Sequence, residues 1–168
     1  MTISMYQASV PVFVRGLTNL THVLKKGETH AKDKGANPDG LLQQRLIFDM
    51  LPLIKQIQIA CDTAARGSAR MAGVEPKSFP DTETTLAQAY ARIEGTIDYI
   101  KSFKPEQIDG CEGKDVVHKT RHGDTHYKGL AYLTDYALPN FFFHCTTAYD
   151  ILRVAGTQIG KKDYLGDR

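Results

Sequence analysis

Residues 118–126 read HKTRHGDTH, so His118, His122 and His126 stand four apart. On a helix this spacing would put three imidazoles on one face, where they would make a metal centre able to activate a bound water. The backbone argues against it. Gly123 interrupts any helix through the three, and β-branched residues flank Gly123-Asp124 on both sides, the signature of a short β-hairpin. In a hairpin successive side chains alternate faces, so whether His118 and His126 share a face depends on the register, and His122 falls at the turn. The expectation is three exposed loop histidines rather than a metal site.

His144 is the sharper candidate. It falls close to the centre of a helical core stripe, between Phe141 and Ala148, and a histidine facing a core needs a hydrogen-bond partner, a water or a metal. One reading is a core histidine satisfied by a nearby carboxylate or amide. The other is a metal ligand or a pocket residue. Asp49 and Gln56 lie two turns apart on one flank of the expected second helix, and Asn140 is one turn before His144. His144, Asp49, Gln56 and Asn140 thus form a candidate interhelical pocket. Asp49 has a competing role as the partner of Arg45, four residues earlier, in a surface ion pair of little energetic value. The consecutive Phe141, Phe142 and Phe143 fan over about 200° of a helix. One core face cannot take all three, so a loop, the C-terminal tail or a second subunit must cover part of them, a symmetric dimer being the commonest solution.

The elements that must position these residues are helical. Apolar spacing predicts helices over residues 4–31, with Pro11 early in it, and 41–71, with Leu42, Leu46, Met50, Leu53, Ile57, Ala60 and Ala64 as its stripe. Pro52 lies inside the second and is expected to bend it. A third helix is expected over 82–103, capped by Asp81 or Thr82, and a fourth over 129–155, kinked at Pro139 and stopped at Gly156. The tail after it is expected to fold back along the bundle. The fold class is all-α: a single four-helix-bundle domain over residues 1–168, with a small β-hairpin in the linker between helices 3 and 4.

Composition narrows the function. Lys and Arg number 21 against 19 Asp and Glu, with no basic stripe, so nucleic acid is not an expected partner. Lys25, Lys26, Lys32 and Lys34 read as a solvated helix end. No run approaches the ~20 apolar residues that span a bilayer, and the N-terminus does not read as a secretory signal. Cys61, Cys111 and Cys145 are widely spaced and odd in number, the pattern of reduced thiols in a cytoplasmic protein. There is no P-loop, no dinucleotide fingerprint and no Ser-His-Asp arrangement.

The stretches LLQQRLIFDMLPLIKQIQIACDTAARGSARMAGVEPKSFPDTE and ALPNFFFHCTTAYDILRVAGTQIGKKDYLG, with the N-terminal MYQASVPVFVRGLTNL, closely resemble the family grouped as "domain of unknown function 1993". The family is similar to the DinB/YfiT superfamily of four-helix bundles, many of whose members are regarded as metalloenzymes, some of them transferases acting on small thiols. The resemblance implies a metal triad of one histidine from helix 2 and two from the last helix, four apart. Here His144 matches the first of that pair, position 148 is alanine, and residues 41–71 contain no histidine. Asp49 is the one candidate to replace the helix 2 ligand. No cofactor is required by the residues present, though the resemblance admits a divalent ion, zinc or nickel. Three functions follow: a dimeric cytoplasmic module that binds a small molecule or a partner through a degraded metal site; a divergent metal-dependent transferase or hydrolase with His144 as ligand, Asp49 as ligand or base and the hairpin as lid; and metal-free acid–base catalysis by His144 oriented by Asp49.

Overall fold

The structure, a computed structural model, describes residues 2–120 and 123–166. Among these residues the chain is mostly helical, with seven α-helical segments and one two-stranded hairpin. Helix α1 spans Val10–Asp33, α2 Leu53–Met71, α3 Leu86–Lys101 and the short α4 Pro105–Ile108. Strands β1 (Asp115–Thr120) and β2 (Gly123–Lys128) follow, then α5 (Gly129–Ala131), a π-helical turn (Tyr132–Ala137), α6 (Leu138–Val154) and α7 (Lys161–Leu165). Helix α2 packs on α3 and α6, and α1 on the same two. Phe13, Leu17, Leu24, Leu53, Ile57, Ile93, Ile100, Phe141 and Leu152 fill the space between them.

The second helix starts twelve residues later than its apolar period implies, at Leu53 instead of 41. Residues Pro38–Gln43 form a 3-10 turn that buries Leu41 and Leu42, and an irregular segment leads to Pro52. Proline has no N–H to give a helix interior but fits its beginning. Pro52 therefore opens α2 and does not bend it. Leu42, Leu46 and Met50 keep a helical spacing without a helix: Leu42 is buried from the 3-10 turn, while Leu46 and Met50 are half-buried on the irregular segment that follows it. Helix α3 begins at Leu86 under a capping box from Thr85 and Gln88, not under Asp81 or Thr82. Those residues belong to an extended linker held by Arg92, whose buried guanidinium meets Asp62, Glu83 and, at 3.6 Å, Asp81.

Pro139 acts through the turn before it. Its ring cannot donate to the carbonyl four residues back and crowds it, and the chain takes a π turn over Tyr132–Ala137. Gly156, with φ of +92°, ends the long helix. Helix α7 then folds back on α1: Asn19 donates to the Tyr164 carbonyl at 3.0 Å, and Asp163 pairs with His22 and Lys26. Among the described residues no helix is long and apolar enough to cross a membrane.

Candidate functional site

The seam between α2 and the π turn with α6 carries the polar residues. On α2 the row is Gln56, Thr63, Arg66 and Arg70. Opposite stand His144, Asn140, Tyr136 and Tyr132, four apart in the reverse direction. At one end His144 is 8% exposed, and its Nδ1 lies 2.7 Å from Gln56 Oε1. Gln56 Nε2 donates to the Leu51 carbonyl at 2.9 Å, which fixes the amide with its oxygen toward the imidazole. His144 Nδ1–H is therefore the donor, and burial holds the ring below the ordinary histidine range, as a neutral group.

Of the four predicted pocket residues the structure brings two together. Gln56 and His144 meet. Asn140 donates to Thr63 Oγ1 at 2.8 Å, one turn further along the seam. Asp49 is a correction: it lies in the exposed segment before α2, not on the helix. Its proposed partner Arg45 donates to the Met50 carbonyl instead.

A DinB-type metal does not fit these residues. Helix α2 places the amide of Gln56 and no imidazole beside His144, position 148 is alanine, and among the described residues no three His, Cys, Asp or Glu side chains are grouped to hold an ion. Nor are the thiols poised for chemistry. Cys61, Cys111 and Cys145 are buried, and burial pushes the Cys61 thiol up to about 12 and that of Cys145 upward too.

The other end of the seam holds what sequence reasoning missed. The hairpin pairs Val117 with His126 and His118 with Thr125. His118 therefore faces the helices with Val116, and His126 faces away and is exposed. Of the three histidines expected to be exposed, His126 is exposed and His118 is half-buried; His122 lies outside the described residues. The His118 ring meets Tyr136 edge-on at 4.2 Å, and its Nδ1 is 3.3 Å from Arg70 Nη1. The same Nη1 donates to the Tyr132 hydroxyl at 3.0 Å. Arginine cannot accept, so His118 accepts at Nδ1 and carries its proton on Nε2. Burial, with Arg70 and Arg66 nearby, lowers its pKa. Tyr127, Tyr132 and Tyr136 complete an aromatic wall with ring centroids about 6 Å apart. The signals were two i, i+4 pairs, Arg66 with Arg70 and Tyr132 with Tyr136; only the packing makes them face each other.

A second cavity, apolar and about 330 Å³, lies between α1, α6 and α7, bounded by Gly16, Leu20, Phe142, Cys145, Tyr164 and Leu165. The tail thus covers part of the aromatic surplus. Phe141 is buried against Phe13, Phe142 borders this cavity at 38% exposure, and Phe143 stays 56% exposed.

A family model described as "Domain of unknown function (DUF1993)" matches residues 5–165. The fold is similar to the crystal structure of a DinB family member protein from Shewanella denitrificans, with a TM-score of 0.89 and 37% identity, covering 97% of this chain and 92% of that one. No curated protein matches the chain.

Proposed function

We propose that this chain, which belongs to the DUF1993 family, is a small-molecule-binding helical bundle in which the DinB-type metal position has become a hydrogen-bonded structural pair. The observation that carries this reading is the 2.7 Å contact of His144 with Gln56. An amide is a poor ligand for zinc or nickel beside imidazole, thiolate or carboxylate. Here it also donates to the Leu51 carbonyl, so it is held as a core partner of the histidine. In this reading α1, α2, α3 and α6 are the four bundle helices, and the seam between α2 and α6 keeps its polar character for binding. Elemental analysis of tag-free protein beside His144→Ala tests it. The expected result is metal far below one equivalent in both proteins, with a thermal-shift response to small-molecule ligands. Near-stoichiometric metal lost in the variant would overturn the reading and restore a metal-dependent transferase or hydrolase.

The proposal includes a homodimer. Phe143 and Phe48, 56% and 87% exposed, are large apolar side chains without cover in the single chain, and a symmetric interface would bury them. Sedimentation equilibrium is expected to give a dimer that Phe143→Ser weakens; a monomer at high concentration would remove this part.

A further inference from the structure

We infer that the cleft between β1 and the α2–π-turn wall is a binding site for the oxyanion, carboxylate or phosphate, of a small molecule. This deepens the binding reading above and rests on it. Arg70 is its centre. Its guanidinium lies 5.8 Å from the centroid of the Tyr132 ring, and Nη1 spends its hydrogens on Tyr132 and His118, both neutral. Nη2 and Nε form the edge that grips carboxylates and phosphates in bidentate fashion. Among the described residues no carboxylate forms an ion pair with Arg70. A half-buried guanidinium whose partners are all uncharged retains an unbalanced positive charge.

The surrounding groups are chiefly donors. His118 carries its proton on Nε2, because Nδ1 faces Arg70. Tyr136 and Lys119 border the same recess, whose volume is about 160 Å³ and which also touches Arg66 and Asn140. Arg66 and Arg70 continue into a wider groove of about 500 Å³ that adds Lys77. Three carboxylates reach these walls. Asp62 is shared between Arg66 and the buried Arg92, Asp115 is tied to Lys128 at 2.7 Å, and Glu75 lies in the exposed segment after α2. The recess is sized for a head group and the groove for the rest of the molecule. The π turn borders the recess. It sets Tyr132 and Tyr136 side by side with centroids 5.7 Å apart, and such turns recur at functional sites.

The chain has no tryptophan and three of its eight tyrosines form the wall, so a change in tyrosine emission on binding reports in part on the cleft. Tag-free protein is titrated with phenyl phosphate, benzoate and benzyl alcohol, followed by that emission and by calorimetry. The expected result is saturable binding of one or both anions and none of the alcohol; the arm that binds identifies the head group. Arg70→Gln is expected to weaken that binding about tenfold or more, the cost of a charge-assisted pair. Arg66→Gln, at an exposed position of α2 that borders both the recess and the groove, is expected to weaken it several-fold and decides the matter alone if Arg70→Gln does not fold. Titrations that never saturate, equal binding of the alcohol, or affinity untouched by these substitutions would overturn the site. Failure here with metal absent from the protein removes this site only, whereas stoichiometric metal on His144 removes the reading beneath it.

Discussion

His144 and His118 are both held neutral in the fold, and this has a consequence for stability. Burial lowers each pKa, with the two arginines adding to the effect at His118. The folded protein thus binds fewer protons than the unfolded chain wherever the unfolded histidines are charged. Stability is complete above the ordinary histidine value of about 6.5 and is lost as pH falls from there toward the folded values. Urea unfolding at pH 7.5 and pH 5.5 is expected to give a lower midpoint at the acidic value, and His144→Gln and His118→Gln are each expected to reduce the difference. A midpoint that rises on acidification would contradict the neutral assignment. The burial of His144 was readable from helical spacing, because it follows from position on a stripe; the choice of Gln56 over Asp49 as its partner was not, because it depends on where α2 begins. His118 was not, because its direction depends on a strand register that nothing local specifies.

At the scale of elements, Arg92 binds the extended linker to α2 and α3, with a side chain almost fully buried among Asp62, Asp81 and Glu83. Removing it leaves carboxylates facing one another without their cation. Arg92→Ala is expected to cost about 3 kcal/mol, the low end for a broken buried pair because Asp81 is partly exposed. Thr85→Ala, which deletes the cap of α3, is expected to cost about 1 kcal/mol. Denaturant unfolding measures both. Gly129 marks a third constraint: a Cβ there would stand 2.0 Å from the Cys111 carbonyl oxygen. Gly129→Ala is therefore expected to displace the start of the long helix and lower the melting temperature by several degrees, on the order of a 1 kcal/mol loss or more. The disturbance at Pro139 was legible as a kink, but its form as a π turn was not. A proline states where a helix loses a donor, and the packing of Tyr132 and Leu133 decides how the chain absorbs the loss.

At the scale of the molecule, α7 closes one side of the apolar cavity and is held there by Asn19, Arg15 and the Asp163 pairs with His22 and Lys26. These are surface contacts, individually worth little. Asp163→Asn is expected to leave global stability nearly unchanged while speeding amide exchange in α7; protection equal to the parent would mean the tail is held by burial alone. By itself the sequence determined the helical class, the hairpin, the helix stop at Gly156 and the core-facing position of His144. Each follows from periodicity, from backbone preferences of glycine and proline, or from the position of one residue on one stripe. Only the tertiary structure decided that Pro52 begins a helix, that Asp49 stands outside the seam, and that Arg70, His118 and two tyrosines converge. Those outcomes depend on which surfaces meet across elements far apart in the chain, and no local preference encodes the distance between two faces.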